Sequence, residues 1–162
     1  MTPHVPRLST AILSVVALLL LVLAIVEVRS VRQQDEDSAM RREALSVAKR
    51  QVTDLTTLDA DRVEEQVERM IGRTTGEFRE QFKAMTQTLT DVVQQGEVTA
   101  TGSVVESGIV ALSDRRAEAI VAATASVRNT RSKKPKARSY RLAVSLERTG
   151  DTWLVSGMEF VA

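Results

Sequence analysis

Three glutamates and one tyrosine are the residues with which this sequence could build a carboxylate enzyme. Glu106, Glu118 and Glu159 fall on predicted strands, and Tyr140 falls on another. A carboxylate that works beside a phenol can move a proton, which is the chemistry of an isomerase. The alternating pattern around each glutamate favours a solvent-facing or edge position instead. We therefore expect no catalytic residue among them.

The residue types of most other active sites are missing from the main part of the chain. The single histidine is His4, which precedes a long apolar segment, and there is no cysteine. A histidine-based triad, a zinc site, a thiolate nucleophile and a disulfide are therefore excluded beyond that segment. Glycine-rich phosphate loops and paired metal-ligand carboxylates are also absent. The sequence predicts a protein without enzyme activity, metal or cofactor.

The apolar segment Leu8–Val26 contains no charged residue. Its polar residues are Ser9, Thr10 and Ser14. As a helix it would span roughly 28 Å, close to the hydrocarbon thickness of a bilayer. A cleaved signal peptide is disfavoured, because its apolar core would be shorter and small residues would follow it. We predict a tail at 1–7, a transmembrane helix at 8–28 and a linker at 29–37.

Charge does not fix the orientation of this helix. Arg7 precedes it, whereas Arg29, Arg32 and Arg41 follow it, so a bare count places the following domain inside. The positive-inside rule weakens for long domains, which are translocated largely regardless of charge. On charge alone, both orientations stay open.

Helical spacing of apolar residues organises the first half of the remaining chain. We predict one helix from residue 37 to about Leu58, followed by a break and a new amino-terminal cap. A second helix ends at Gly72, which we interpret as its carboxy-terminal cap. Thr74 and Glu77 form a capping-box pattern at the start of a third helix. This helix ends near Gly96.

Beyond Gly96 the apolar period falls to two, which is typical of strands. The phase shifts between Val104 and Val105, and we interpret the shift as a bulge. The four predicted strands cover residues 98–112, 116–127, 140–147 and 153–161. We therefore expect an α+β domain at 38–162, with three helices packed on one face of a curved four-stranded antiparallel sheet.

Five aromatic residues lie on the third predicted helix and the last two predicted strands. We expect them to meet in one core, or to line a ligand cavity between that helix and the sheet. They are Phe78, Phe82, Tyr140, Trp153 and Phe160.

A cluster of six cations without an anion occupies residues 128–138, in the predicted connection between the second and third strands. The six are Arg128, Arg131, Lys133, Lys134, Lys136 and Arg138. Such a loop could contact anionic headgroups or an acidic protein surface, or it could simply keep the sheet edge soluble. Nucleic acid is not expected as a partner, because the cluster is short and has no interleaved aromatic residue.

The order of these parts resembles the Mce-associated membrane proteins of actinobacteria over nearly the whole chain. The most specific segment is 55–82. There, Leu58-Asp59 and Thr75-Gly76-Glu77-Phe78 are similar to the recurring "LDY" and "TGEF" elements of that family. Ala60 stands where the family frequently has an aromatic residue.

The resemblance implies a cystatin-like, nuclear-transport-factor-like roll outside the cytoplasm, held at the cell membrane by a single-pass helix. It also implies a non-enzymatic accessory subunit that helps to assemble an Mce-type lipid importer. The expected partners are the membrane, the permease and Mce proteins, and lipid. The helix would dock through its leucine-rich face, although lipid contact explains the leucines equally well. That face comprises Leu18, Leu19, Leu20, Leu21, Val22 and Leu23.

Two alternatives remain open. The first is a lipid-binding module. The second is a scaffold subunit of a secretion-like complex, because the plan of one anchor and one roll also resembles the bitopic scaffold subunit of type IV secretion systems.

Overall fold

The computed structural model describes residues 37–161. The predicted tail, the transmembrane helix with its leucine-rich face and the linker up to residue 36 lie outside the described residues. Within the part that is described, no helix is long and apolar enough to cross a membrane. From Met40 onward the chain forms one compact unit.

Three helices and five strands make up the described part of the chain. Helix α1 covers residues 37–56, α2 covers Val63–Gly72 and α3 covers Gly76–Gln95. The strands are β1 at Leu58–Asp59, β2 at Thr99–Leu112, β3 at Arg116–Asn129, β4 at Ser132–Thr149 and β5 at Thr152–Phe160. All strands belong to one antiparallel sheet in the order β1-β2-β3-β4-β5.

The fifth strand is a correction to the sequence prediction, which had four strands and a break at this point. Leu58 and Asp59 pair with Ala100 and Thr99 at the start of β2. The Asp59 amide also donates to the side-chain oxygen of Gln66 on α2, at 3.0 Å. A strand of two residues is too short to show an alternating apolar pattern. It can therefore be recognised only from its hydrogen-bonded partners in β2.

The bulge in β2 is confirmed. The register between β2 and β3 shifts between Val104 and Glu106, and it shifts again between Ile109 and Ala111. Each extra residue bends the strand and increases its twist. The long strands can therefore curve around the helices.

The predicted helix caps are wrong. Gly72 is the last residue of α2 and has no left-handed backbone conformation. The capping residue of α3 is Thr75, without a side-chain cap. Thr74 is fully buried and donates its hydroxyl to the Ile71 carbonyl at 2.7 Å, because a bridge to Val155 of β5 draws it into the core. The left-handed backbone that favours glycine occurs at Gly76, where φ is 61°.

Two apolar clusters form the interior. The first lies between α1 and the sheet, and its helix residues are Ala44, Ala48 and Val52. The second lies between α2 and α3, and its buried members are Val63, Val67, Met70, Ile71 and Val93. Leu55 packs against both clusters. The sheet is thus covered mainly by α1, whereas α2 and α3 bury much of their apolar surface against each other.

Candidate functional site

The cationic segment 128–138 is a β-hairpin rather than the predicted loop. Strand β3 continues to Asn129 and β4 begins at Ser132, so the turn itself is short. The Asn129 side-chain oxygen accepts hydrogen bonds from the amides of Arg131 and Ser132, at 3.1 and 2.9 Å. This extension is exposed on both faces and lacks apolar alternation, so the sequence pattern did not indicate a strand. We call residues 128–138 the basic hairpin.

The basic hairpin extends beyond the last strand of the sheet. Strand β5 pairs with Leu142 to Thr149 of β4 and with none of the preceding residues of that strand. Within residues 37–161, the outer edge of β4 from Ser132 to Tyr140 therefore has no partner strand. Lys133, Lys134 and Pro135 lie on this edge and disfavour the addition of another strand.

All six predicted cations are exposed on this hairpin. They are Arg128, Arg131, Lys133, Lys134, Lys136 and Arg138. None of them forms an ion pair with another residue of the described chain. Their charges are consequently available to an external anion.

An apolar cavity of about 270 Å³ lies beside the hairpin, between the end of α1, β1 and the sheet. Its lining residues are Leu55, Thr56, Leu58, Val98, Ala100, Ala125, Val127, Tyr140 and Phe160. In this wall, the buried Thr56 donates its hydroxyl to the Val52 carbonyl at 2.8 Å. The cavity therefore offers mostly apolar surface to a ligand.

A second cavity, of about 260 Å³, shares Val127 with the apolar cavity. The other residues that line it are polar or cationic, namely Asn129, Arg131, Ser132, Lys136 and Arg138. We call it the cationic cavity. Because the two cavities meet at Val127, apolar and cationic surfaces are adjacent at the base of the hairpin.

A larger cleft, of about 770 Å³, shares Asn129 with the cationic cavity and carries both signs of charge. Its acidic residues are Asp59, Asp61 and Glu97, and its basic residues are Arg128 and Lys133. Across the described residues, no group of three or more histidine, aspartate or glutamate side chains could hold a metal ion.

The five aromatic residues meet only in part: Phe78 and Tyr140 pack against the cluster that contains Trp153, whereas Phe82 packs against the second cluster and Phe160 is 68% exposed. Phe78 and Phe82 stack on α3 with centroids 6.0 Å apart, and Tyr140 meets Phe160 at 6.0 Å beside the apolar cavity. Trp153 is buried in the cluster under α1. The apolar cavity lies at the end of α1, where Leu55 and Thr56 line it, and not between α3 and the sheet. Helical and strand periodicity place each aromatic on a face but do not say which faces meet.

The acid and tyrosine pair that an isomerase would need is not formed, in agreement with the solvent-facing or edge positions predicted for the glutamates. In the register of the sheet, Glu106 stands opposite Ala122, and Glu159 stands opposite Ala143. These positions belong to the face opposite to that of Tyr140, which stands opposite Ala123. Glu118 is likewise exposed, and no acidic residue lines the apolar cavity. The carboxylates therefore face away from the tyrosine.

Sequence reasoning placed a cavity between α3 and the sheet, and it missed both the true position of the apolar cavity and the cationic cavity. Their walls join residues from the end of α1 to the end of β5, and no local pattern brings these together. The sequence feature that could have indicated the apolar cavity is the pair of alanines Ala100 and Ala125, because small side chains on a buried face leave room for a cavity.

Helices that cover one face of a curled antiparallel sheet define the class of the nuclear-transport-factor-like roll. A solved structure described as an Ntf2-like protein involved in plasmid conjugation has a TM-score of 0.50, with 14% identity over 75% of this chain and 48% of that chain. An IcmL-like type IV secretion system protein from Legionella pneumophila has a TM-score of 0.61, with 14% identity over 75% of this chain and 91% of that chain. The periplasmic domain of DotI has a TM-score of 0.60, with 12% identity over 72% of this chain and 91% of that chain.

Residues 8–162 match the model of the family described as "Uncharacterized protein Rv1363c/MT1408-like". The chain belongs to this family. The Rv1363c protein of Mycobacterium tuberculosis is 31% identical over 161 residues, which are 98% of this chain and 62% of that protein. The chain thus spans less than two thirds of this relative. Membership of the Mce-associated family is not confirmed.

Proposed function

We propose that this protein is a membrane-anchored, non-enzymatic scaffold that binds other proteins of an envelope complex. The observation that carries the proposal is the basic hairpin, whose six exposed cations extend beyond β5 without ion pairs in the described chain. The fold supports it, because the similar structures include proteins of secretion and conjugation systems. The resemblance of the anchor and roll to bitopic scaffold subunits favours a domain outside the cytoplasm.

The charges of the hairpin define the chemistry of the docking surface. Lysines and a proline on the edge of β4 resist the addition of a partner strand. The partner is therefore expected to bind through side chains and to present an acidic face. Opposite charges across such a contact mainly accelerate association and select the partner, and salt weakens them.

Reversal of charge at the hairpin tests this role. The full chain, carrying an affinity tag, is cross-linked in its native cells and purified from solubilised membranes, and its partners are identified by mass spectrometry. In the hairpin variant Arg128, Lys133 and Lys134 are changed to Glu. These three residues line neither the apolar nor the cationic cavity.

The control variant carries Glu at Arg41, Arg42 and Lys49, three exposed cations of α1. We expect the hairpin variant to lose its partner complex and the control to retain it. Equal recovery with both variants would contradict docking through the hairpin. Mce and permease subunits among the partners would place the scaffold in a lipid importer, and secretion-channel subunits would place it in a secretion complex.

A further inference from the structure

We infer that the apolar and cationic cavities together form a binding site for a small anionic amphiphile, a molecule with one alkyl chain and an acidic head. This inference goes beyond the scaffold role. It concerns Lys136 and Arg138, which the scaffold test leaves unchanged.

The register of the sheet places two cations at the rim of the apolar cavity. Lys136 stands opposite Val127, and Arg138 stands opposite Ala125. Side chains opposite each other in an antiparallel pair share one face of the sheet, with Cβ atoms about 5 Å apart. Val127 and Ala125 line the apolar cavity, so the two cations lie on the same face at its edge.

Val127 lines both cavities, so the apolar wall of one is adjacent to the cationic wall of the other. No acidic side chain lines either cavity. Within residues 37–161, Lys136 and Arg138 have no ion-pair partner, so an anion would not have to displace a carboxylate. A carboxylate, sulfate or phosphate head could therefore be bound by these cations, with Arg138 able to donate two parallel hydrogen bonds.

The volume of the apolar cavity restricts the tail. At about 270 Å³ it lies just below the range of about 300–1,000 Å³ that is usual for drug-sized ligands. Ala100 and Ala125 provide the depth, whereas Tyr140 and Phe160 form an aromatic wall near the opening. These dimensions suit one short alkyl chain and not a sterol or a two-chain lipid.

Photolabelling of the full chain in phosphatidylcholine nanodiscs tests the site. The probes are decanoate and decyl maltoside, each carrying a diazirine in the alkyl chain, so that they share a tail and differ in head charge. Labelled peptides are mapped by mass spectrometry as the probe concentration increases. We expect decanoate to label β3 and β5 beside the cavity saturably, and decyl maltoside to label them more weakly.

The double variant Lys136→Gln and Arg138→Gln should raise the half-saturating concentration of decanoate about tenfold, because two exposed charge contacts are lost. Lys133→Gln is the matched control, since this cation of the same strand lines neither the apolar nor the cationic cavity, and it should change nothing. Ala125→Leu should fill the cavity and abolish the labelling. Circular dichroism of each variant confirms that it is folded.

Two results would overturn the inference. In the first, labelling of the domain does not saturate or is confined to residues before the domain, so no site exists. In the second, both probes saturate equally and the double variant binds decanoate unchanged, so the site is not selective for anions. The exposed positions of Lys136 and Arg138 keep this comparison valid even if Ala125→Leu does not fold. Because the scaffold test changes other residues, either proposal can fail alone.

Discussion

Gly102 shows how a single residue controls the wall of the apolar cavity. A Cβ atom at this position would lie 2.0 Å from Oγ1 of Thr56 and 2.8 Å from the Thr56 carbonyl oxygen. The Gly102 amide donates to the hydroxyl of Thr57 at 3.1 Å. The end of α1 can therefore approach β2 closely only because this position has no side chain.

We predict that Gly102→Ala destabilises the domain by about 1–3 kcal/mol, because backbone and not only a flexible side chain must move. Gly108 lies on the same strand with nothing within 4 Å of its Cβ position. Gly108→Ala should be neutral or stabilising by up to about 1 kcal/mol. Urea denaturation of both variants measures the difference, and equal midpoints would refute the close approach.

At the scale of elements, α2 and α3 pack against each other, and Phe78 of α3 also packs against the cluster under α1. Their shared cluster is centred on fully buried residues of α2, with Phe82 and Leu89 of α3 packed against it. An ion pair between Arg73 and Asp54 connects the end of α2 to α1. Both of its side chains are about one third exposed, so the pair contributes little and the apolar contacts dominate.

Met70 and Met85 offer a matched comparison of these contacts. Met70 is fully buried in the cluster between α2 and α3, whereas Met85 on α3 is 64% exposed. We predict that Met70→Ala lowers the free energy of unfolding by about 2–5 kcal/mol. Met85→Ala should change it by no more than about 0.5 kcal/mol. Thermal and urea denaturation provide the measurement, and similar losses for both variants would show that the cluster is not a true core.

At the scale of the whole described domain, two apolar clusters are joined at Leu55. The bridge between Thr74 and Val155 joins the same two regions through hydrogen bonds of the backbone. Clusters connected in this way are expected to unfold together, as most small domains do.

The sole tryptophan makes this cooperativity measurable. Trp153 is buried in the cluster under α1, so its fluorescence reports on that cluster, whereas circular dichroism at 222 nm reports on all the helices. We predict coincident urea transitions for the domain. Met70→Ala, which lies in the other cluster, should shift both midpoints equally. A shift in circular dichroism alone would mean that α2 and α3 unfold separately.

Much of the local structure could be predicted from the sequence. The carboxy-terminal ends of α2 and α3, the apolar parts of the four long strands and the bulge near Val104 could all be predicted from short-range patterns. The predictions that failed required information about distant residues. The cap at Thr74 is displaced by its bridge to Val155, and β1 exists only because β2 is its partner.

The same distinction between local and long-range information applies to the candidate site. The sequence by itself determined which cations follow one another at 128–138 and that no acid interrupts them. Only the tertiary structure decided that they lie on a hairpin and that two of them share a face with an apolar cavity. The physical reason is the distance along the sequence over which each kind of interaction acts. Periodicity arises between residues a few positions apart, whereas strand register and packing bring Leu55 and Phe160 to the same cavity from opposite ends of the domain.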